Sequence, residues 1–393
     1  MNVLTDSQIH YGPEALDRAW DGAETFAFVP HKSGVSGEWL ETALAALPPN
    51  LHTEHFALLT SGSTGQPKLV IGVKRRTDAL ARVLHEMQDS AAIEQTIAVL
   101  PLTYCYAFVN QWRWARVMGR SLTIGVGFSE PIALAEQLER MTNGMLCLVG
   151  AQVPLLERTL AGHQFPGVRR LHFAGGRFPQ DKLDVLSTFF PNAVVYNNYG
   201  CAEAMPRLTL RRADASPAGA NIGRPLPGVE LKTTDDNRLL FRSPFGCVGY
   251  VDGDGYHALT AGDWVPTGDL AHALPDGSWE LLGRAGDVFK RYGEKVSTPS
   301  ILTTVATSWG GHAETYRETD AAGEMGYVLV LAPQPGEDEL RGILRALREH
   351  HPRAQWPLRV ESLQEMPRLP NGKIDRMGLS TRGDRQLHWR QRI

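Results

Sequence analysis

The chain alternates between short apolar runs and stretches whose apolar residues recur at helix spacing. In residues 77–87, Leu80, Val83, Leu84 and Met87 fall at that spacing, and residues 180–190 form a second helical stretch. Apolar runs of strand length occupy residues 56–59, 96–100, 121–126, 145–149, 170–174 and 193–196. Strands that alternate with helices predict crossover connections and a mostly parallel sheet.

The pattern changes in the second half of the chain. Between residues 222 and 282, glycine, proline and short apolar runs dominate, which predicts a β-rich subdomain. Farther on, residues 327–332 predict a strand and residues 337–350 a helix, whose acidic start and basic end suit the helix dipole. Residues 381–393 are polar and basic, so we expect them to fray.

Together these patterns predict an α/β protein of two domains. The large N-terminal domain, residues 1–285, would hold the mostly parallel sheet and the β-rich subdomain at about 220–285. A small α+β domain would follow at residues 286–393. The length of 393 residues agrees with two or three domains of about 150 residues each.

Composition narrows the classes of function. A net charge of −3 gives no attraction to nucleic acid or to a membrane surface, so we expect neither as a partner. The four cysteines are far apart and form no metal-type pair, which is typical of reduced thiols in a cytoplasmic protein. We see no signal peptide and no apolar run of membrane-spanning length.

A run of small, hydroxylated and basic residues follows the apolar run at 56–59. It contains Thr60, Ser61, Gly62, Ser63, Thr64, Gly65 and Lys68. Glycines let the backbone approach a ligand, and successive N–H groups, hydroxyls and a lysine suit a polyphosphate such as ATP. A Walker-type loop matches poorly, because Gln66 and Pro67 separate Gly65 from Lys68. A flexible linker is the alternative interpretation of this run taken alone.

Glu203 follows the predicted strand at 193–196, within the run 197–204. Its carboxylate would therefore lie at the carboxyl end of a strand, where parallel sheets bind ligands. A Mg²⁺ ion bound to phosphates takes oxygen ligands, so Glu203 is the candidate metal ligand. A solvated glutamate in a turn is the alternative for this residue alone.

Residues 60–68 and 197–204 resemble two motifs of the adenylate-forming superfamily, Thr-Ser-Gly-Ser/Thr-Thr-Gly-x-Pro-Lys and Tyr-Gly-x-Thr-Glu. That superfamily includes acyl-CoA synthetases, nonribosomal peptide adenylation domains and luciferases. Further segments resemble the family in its own order, at 175–177, 267–269 with 283–284, 284–296 and 369–376. Each alone also fits an ordinary turn or solvated loop, whereas their common order favours the family.

The resemblance implies roles for particular residues. The implied phosphate-binding residues are those of the run from Thr60 to Lys68, and the implied nucleotide-binding residues are Gly175, Gly176, Arg177, Asn198, Tyr199, Gly200, Asp269 and Arg284. The implied catalytic residues are Lys373 at the α-phosphate, Glu203 on Mg²⁺ and Lys290 facing the adenylate. Gly286 would be the hinge of a mobile C-terminal domain, and Gly293 would border the thiol channel.

The resemblance also implies the position of an acyl pocket. Its implied residues are Tyr104, Phe108, Gly150 and Cys201. The aromatic residues favour a small or aromatic acid, but core packing explains them equally well.

The implied activity is that of an ATP-dependent carboxylate ligase. The enzyme would join a small carboxylic acid to AMP, release pyrophosphate, and pass the acyl group to CoA or to the phosphopantetheine arm of an acyl carrier protein. An amide-forming ligase with an amine acceptor is an alternative, and so is a non-catalytic nucleotide- or acyl-binding module. Retention of Lys68, Glu203, Asp269, Arg284 and Lys373 argues against the binding module.

The chain departs from the family pattern at three places. Ala202 stands where threonine is usual, and Gly286 stands where the hinge usually has aspartate or lysine. Only 57 residues precede Leu58, so we expect a shortened N-terminal subdomain.

Overall fold

The computed structural model describes residues 1–33, 35–61, 67–176, 178–213, 220–260, 262–320, 322–368 and 374–391. Their contacts separate two compact units. Unit 1 comprises Met1–Thr267 and Ala271–Leu281, and unit 2 comprises Gly268–Leu270 and Leu282–Ile393.

Unit 1 mixes strands and helices along its whole length. The strands in chain order are β1 (Asn2–Thr5), β2 (Phe26–Val29), β3 (His55–Ser61), β4 (Pro67–Val73), β5 (Gln95–Ala98), β6 (Ser121–Ile124), β7 (Gly144–Leu148), β8 (Val168–Phe173), β9 (Val194–Tyr199), β10 (Thr209–Arg212), β11 (Asn221–Pro225), β12 (Glu230–Thr233), β13 (Arg238–Arg242), β14 (Gly249–Asp252), β15 (Gly255–Ala258), β16 (Val265–Ala273) and β17 (Trp279–Arg284). The last two strands include residues of both units.

The α-helices of unit 1 lie mainly between the strands of its first two thirds. They are α1 (Glu14–Asp21), α2 (Gly37–Ala45), α3 (Lys74–Met87), α4 (Cys105–Ala107), α5 (Trp114–Met118), α6 (Pro131–Glu139), α7 (Val153–Thr159) and α8 (Leu183–Phe189). A π-helical stretch, Phe108–Arg113, joins α4 to α5.

Two sheets organise these elements. One has the order β1-β2-β3-β4-β14-β15, and the other has the order β12-β13-β16-β17-β11-β10-β9-β8-β7-β5-β6. The neighbours from β9 to β6 pair in parallel, whereas β9, β10 and β11 pair antiparallel. The α/β class with a mostly parallel sheet and a β-rich region, which the sequence predicts, is therefore confirmed.

Buried apolar side chains fill the spaces between the layers. One cluster joins both sheets through α3 and the helical stretch that follows β5, with Leu80, Leu84 and Phe108 fully buried. A second cluster packs α6, α7 and α8 against the parallel strands, and a third packs α2 against the smaller sheet. Each fully buried leucine contributes about 1.5–3 kcal/mol to folding.

The segment before β3 builds part of the smaller sheet. β1 pairs parallel with β2, and β2 pairs parallel with β3. Trp20 of α1 packs in the cluster that joins both sheets, while Leu40 and Leu44 of α2 pack on the third cluster. This segment therefore covers both faces of the sheet that carries β3 and β4.

Unit 2 is an α+β unit. Its elements after β17 are β18 (Val288–Arg291), β19 (Glu294–Ser297), α9 (Thr298–Ser308), β20 (His312–Thr319), β21 (Met325–Ala332), α10 (Glu337–His350), β22 (Arg359–Ser362), α11 (Arg376–Thr381) and β23 (Gln386–Arg390). β18 and β19 form a hairpin, and β20 to β23 form a sheet in chain order. Residues of α9 and α10 pack in one cluster on this sheet, and Leu379 of α11 packs in another.

The prediction that residues 381–393 fray is wrong for Gln386–Arg390, which form β23. β23 pairs antiparallel with β22, and His388 Nε2 lies 2.8 Å from Ser362 Oγ. Trp389 packs against the cluster that holds α9 and α10. The strand lies at the edge of the sheet and is mostly polar, so its sequence lacks the apolar run that would predict a strand.

Among the described residues, no helix is long and apolar enough to cross a membrane.

Candidate functional site

Three parallel strands of unit 1 end side by side. β7 ends at Leu148, β8 at Phe173 and β9 at Tyr199, and their pairing keeps these ends adjacent. The segments that follow carry the predicted residues Gly150, Gly175, Gly176 and Gly200. The carboxyl edge of a parallel sheet is where α/β proteins bind ligands. The structure therefore brings these predicted segments to one edge of one sheet.

The phosphate-loop run connects two antiparallel strands. Thr60 lies in β3 opposite Lys68 in β4, and Ser61 lies opposite Pro67. Pro67 begins a strand rather than a helix, in keeping with the prediction that no Walker-type helix starts there. Four predicted phosphate-binding residues lie outside the described residues: Gly62, Ser63, Thr64 and Gly65.

Lys68 and Glu203 form an ion pair although 135 positions separate them. The distance from Lys68 Nζ to Glu203 Oε1 is 2.7 Å, and the two side chains are only 17% and 22% exposed. Lys68 Nζ also lies 3.5 Å from the centroid of the Tyr250 ring. A cation in this position is stabilised by both the carboxylate and the aromatic face. Two predicted residues of opposite charge thus meet at the hairpin that carries the phosphate-loop run.

Tyr250 is itself held by its neighbours in β14 and β15. Its ring stacks on His257 with centroids 4.8 Å apart, and His257 Nε2 lies 2.9 Å from Asp252 Oδ1. β14 pairs with β4, which places Tyr250 opposite Val70. Sequence reasoning assigned Tyr250 no role at the site, because its contact with Lys68 depends on strand pairing.

The turn that carries Glu203 is close-packed. Glu203 lies in a short 3₁₀ turn, Ala202–Ala204, and its carbonyl accepts a 2.9 Å hydrogen bond from Cys247 N–H. A Cβ on Gly200 would lie 1.9 Å from the carbonyl oxygen of Pro206, so only glycine fits there. Burial raises the pKa of the Cys247 thiol to about 12. The turn is therefore fixed by backbone contacts on both sides of Glu203.

The predicted nucleotide-binding glycines lie beside an aromatic side chain. Gly175 has a φ of +78°, and a Cβ there would lie 2.0 Å from Tyr104 Oη. Asn198 is buried and its Nδ2 donates to the carbonyl of Phe173 at 3.0 Å, while Tyr199 ends β9 half-buried. Gly176 is exposed, and Arg177 lies outside the described residues.

The four acyl-pocket candidates do not share one environment. Tyr104 contacts Gly175, and Cys201 is half-buried just before the Glu203 turn. Gly150 begins a 3₁₀ turn after β7. Phe108 is fully buried, and its ring stacks on Phe56 of β3 with centroids 5.0 Å apart. Phe108 thus packs in the core between the sheets of unit 1.

In unit 2, the predicted ribose-binding residues form an ion pair. Arg284 Nε lies 2.9 Å from Asp269 Oδ1, with the aspartate side chain 5% exposed and the arginine 55% exposed. A carboxylate is an acceptor-only group and suits a diol. The structure therefore brings together Asp269 and Arg284, which come from β16 and β17.

The loop predicted to face the thiol is anchored by a buried arginine. Arg291 is 1% exposed, and its Nη1 donates to the carbonyl of Trp356 at 3.0 Å while Nη2 lies 3.3 Å from Asp320 Oδ2. Lys290 precedes it and is exposed, and Gly293 lies in the tight turn between β18 and β19. Lys373 lies outside the described residues.

Gly286 lies in a 3₁₀ turn, Ala285–Asp287. Its carbonyl accepts a hydrogen bond from Arg317 Nη2, and Asp287 pairs with Arg376 at 2.9 Å. The bonds that hold this turn thus come from residues later in unit 2.

Sequence reasoning missed a group of buried polar residues behind the sheet edge. Arg207, Asn110 and His172 are each at most 1% exposed. A single arginine or histidine in an apolar stretch carries no motif, so only the fold reveals that these side chains are buried together.

Comparison with known proteins identifies the family of this chain. The sequence model described as "AMP-binding enzyme" matches residues 15–251, which is more than half of the chain. The chain belongs to the AMP-binding enzyme family. The predicted membership of the adenylate-forming superfamily is thereby confirmed.

Curated relatives of this chain include parts of much larger proteins. The chain is 28% identical over 362 residues to the probable non-canonical nonribosomal peptide synthetase CymA of Salinispora arenicola, covering 85% of this chain and 4% of CymA. It is 24% identical over 345 residues to a D-alanine–D-alanyl carrier protein ligase of Staphylococcus aureus, covering 82% of this chain and 70% of that ligase.

A solved structure shares the fold of this chain. The anthranilate CoA ligase AuaEII, in complex with anthranoyl-AMP, superimposes with a TM-score of 0.70 at 17% sequence identity. The match covers 94% of this chain and 80% of the ligase chain.

The described residues of the chain fit a metal ion that is held mainly by a bound phosphate ligand. Among the described residues, no group of three or more His, Cys, Asp or Glu side chains gathers as a metal cage. Mg²⁺ typically keeps several waters and uses one or two carboxylates together with substrate phosphates. Glu203, a single partly exposed carboxylate beside the phosphate-loop hairpin, suits that mode of binding.

Proposed function

We propose that this protein is an ATP-dependent carboxylate ligase that forms an acyl-AMP and then transfers the acyl group to a thiol. The observation that carries the proposal is the Lys68–Glu203 ion pair at the phosphate-loop hairpin. A cation for phosphates and a carboxylate for Mg²⁺ are the two charges that MgATP requires. Family membership supports the same conclusion.

In the proposed first step, ligand binding separates the ion pair. Lys68 would exchange Glu203 for the β- and γ-phosphates, and the resemblance implies that the run from Thr60 to Gly65 would also bind these phosphates. Glu203 would be freed to hold Mg²⁺, whose charge favours departure of pyrophosphate. Because each charge exchanges one partner for another, neither is left unpaired in a partly buried site.

The nucleotide and the acid would lie at the carboxyl edge of the parallel strands. The segments at Gly175 and Tyr199 would contact the base, and Asp269 with Arg284 would bind the ribose hydroxyls. Lys373 would stabilise charge at the α-phosphate and position the acid, which is electrostatic stabilisation with positioning.

In the proposed second step, rotation about Gly286 would present the loop from Lys290 to Gly293 for attack by a thiol. The acceptor would be CoA or the phosphopantetheine arm of a carrier protein. A carrier protein appears in the name of the Staphylococcus aureus relative, which supports the second of these acceptors.

Pyrophosphate release that depends on a carboxylic acid would test the first step. Purified protein with MgATP and a panel of acids, with hydroxylamine to trap acyl-AMP, should release pyrophosphate with some acids and none without acid. Glu203→Gln and Lys68→Met should each lower kcat/KM by about a hundredfold or more. Glu157→Gln is the matched control, because Glu157 pairs with Lys182 at 3.2 Å on the surface. Release of inorganic phosphate instead, or acid-independent turnover, would refute the ligase.

A second experiment separates the two half-reactions. Lys373→Ala should abolish acyl-AMP formation yet leave thiol attack on supplied acyl-AMP intact. Equal loss in both half-reactions would contradict the role proposed for Lys373. Product analysis with CoA, a phosphopantetheinylated carrier protein and simple amines then identifies the acceptor.

A further inference from the structure

Arg207 is a buried cation with unfilled hydrogen-bonding capacity. Its side chain is 1% exposed, and Nη2 donates to Asn110 Oδ1 at 3.0 Å. Within the described part of the chain, Nε and Nη1 of the same guanidinium have no hydrogen-bond partner. Burial of an incompletely paired charge is costly, so a protein rarely retains one without a use for it.

Among the described residues, no carboxylate forms an ion pair with Arg207. The largest electrostatic contributions to its pKa come from the phenols of Tyr106 and Tyr104 and the thiols of Cys147 and Cys105. Burial raises the pKa of Tyr106 well above its ordinary value and that of Cys147 to about 11, so both groups are neutral at pH 7. The Arg207 guanidinium carbon lies 5.2 Å from the Tyr106 ring centroid, a cation–π contact that provides no hydrogen-bond acceptor for Nε or Nη1.

Two other largely buried arginines of the protein have carboxylate partners. Arg291, also 1% exposed, has Asp320, and Arg113, whose side chain is 13% exposed, pairs with both carboxylate oxygens of Asp78. Arg207 differs from these two arginines, because among the described residues no carboxylate forms an ion pair with it.

Arg207 lies next to the segments proposed to bind the acid. A Cβ on Gly200 would lie 3.0 Å from Arg207 Cα, so the backbone of Arg207 packs against the turn between β9 and Glu203. The Tyr106 ring under the guanidinium meets the Tyr104 ring edge-on at 6.2 Å, and Tyr104 contacts Gly175. All of these residues belong to unit 1.

We propose that Arg207 is a specificity-determining residue that pairs with a second carboxylate on the acid, so that the preferred substrates are dicarboxylic acids. This inference rests on the proposed ligase function. The remote carboxylate would fill the free guanidinium nitrogens, while the other carboxylate reacts with ATP. Charge-assisted hydrogen bonds in a water-poor environment are strong enough to select such a substrate.

The same charge disfavours acids that carry an ammonium group. D-alanine, in the name of the Staphylococcus aureus relative, has one at neutral pH. A buried guanidinium without a carboxylate beside it repels that group, so we expect simple amino acids to be poor substrates.

The test compares acids that differ only in the second carboxylate. Succinate, glutarate and adipate are assayed beside butanoate, pentanoate and hexanoate, and isophthalate beside benzoate, by acid-dependent pyrophosphate release. In the wild type, at least one dicarboxylate should exceed its partner by tenfold or more in kcat/KM, on the order of one charged hydrogen bond. Arg207→Met should abolish or reverse that preference while activity on the monocarboxylate persists. Because methionine removes an unpaired buried charge, we expect this variant to fold.

Arg113→Met is the matched control. It removes a largely buried arginine that already has a carboxylate partner, so it should lower stability without changing the ratio between paired acids. A second readout does not need turnover: the preferred dicarboxylate should raise the melting temperature of the wild type and not that of Arg207→Met.

The outcomes separate the two proposals. Selective stabilisation by a dicarboxylate without pyrophosphate release would retain the role of Arg207 and refute the ligase. The role of Arg207 would be overturned if Arg207→Met kept the preference for the dicarboxylate. It would also be overturned if the wild type favoured the monocarboxylates or amino acids. Neither result would contradict the proposed ligase activity. Absence of both selective stabilisation and turnover with every acid would overturn both.

Discussion

At the scale of single residues, the position of Glu203 depends on Gly200, which has no Cβ. We expect Gly200→Ala to destabilise the protein by roughly 1–3 kcal/mol, because a Cβ would lie 1.9 Å from the Pro206 carbonyl and the backbone would have to shift. Urea denaturation measures this loss. Gly37→Ala is the control, since a Cβ on Gly37 meets no atom within 4 Å. Equal effects of the two substitutions would contradict the close packing of the turn.

A second prediction at this scale concerns pH. Burial, reinforced by the charges of Arg207 and Arg170, lowers the pKa of His172 well below its ordinary value of 6.5. His172 therefore stays neutral in the folded protein, while the unfolded chain takes up a proton as the pH falls through about 6.5. The unfolding free energy contributed by this residue is thus complete above pH 6.5 and declines below it by up to about 1.4 kcal/mol per pH unit.

Urea denaturation between pH 5 and pH 8 checks this sign. His172→Gln should show a shallower decline at low pH than the wild type, whereas replacement of the exposed His10 by glutamine should leave the slope unchanged. A wild-type stability that rises as the pH falls through this range, with no change of slope in His172→Gln, would show that the histidine is not held neutral.

Sequence alone predicts which residues belong to the site better than it predicts which side chains they contact. Lys68 and Glu203 stand in recognisable motifs, yet their 2.7 Å contact crosses 135 positions and depends on the packing of the two sheets. Sequence alone assigns no role to Tyr250 or Arg207, because the contact of Tyr250 depends on strand pairing and that of Arg207 on burial. Burial depends on the tertiary structure, so the sequence around a single polar residue does not predict whether that residue is buried.

At the scale of elements, periodicity predicts the long and the fully buried segments. The helix expected at 337–350 is α10 with the same bounds, and the strand expected at 145–149 is β7 shifted by one residue. β1 and β2 were not predicted, because four-residue strands give too short a pattern. β23 was predicted to fray because a polar edge strand is formed by pairing rather than by apolar residues.

Lys74 gives a prediction for the helix that precedes β2. Its buried Nζ donates to the carbonyls of Ala19, Gly22 and Glu24, at and beyond the end of α1, at 3.2, 2.5 and 3.3 Å. A cation at a helix C-terminus satisfies carbonyls that lack helical partners. Lys74→Met should therefore cost about 2–4 kcal/mol, since these carbonyls lose their shared donor in a buried place.

Thermal and urea denaturation measure this effect, with Arg75→Met as the control on the exposed neighbouring position. A loss no larger than that of Arg75→Met would mean that water replaces the ammonium, and α1 would then not depend on α3.

At the scale of the whole molecule, the chain passes between two compact units three times, and the proposed hinge lies after the last passage. Unit 2 takes the short stretch Gly268–Leu270 as well as everything from Leu282 onward. The partners of Gly286 and Asp287, namely Arg317, Thr298 and Arg376, all come from later in unit 2. The turn at 285–287 is therefore bound to the part of unit 2 that follows it, so a rotation would occur at Gly286 or just before it.

Substitutions at Gly286 test this rotation. A Cβ there meets no atom within 4 Å, so Gly286→Ala should fold and retain both half-reactions. Gly286→Pro fixes φ and restricts the preceding residue, so we expect it to slow the complete reaction by roughly tenfold or more while at least one half-reaction stays near the level of Gly286→Ala. Pyrophosphate exchange measures acyl-AMP formation, and thiol attack on supplied acyl-AMP measures transfer. If both half-reactions and the complete reaction of Gly286→Pro match those of Gly286→Ala, rotation at Gly286 does not link the two steps, and a hinge elsewhere or a fixed arrangement must account for them.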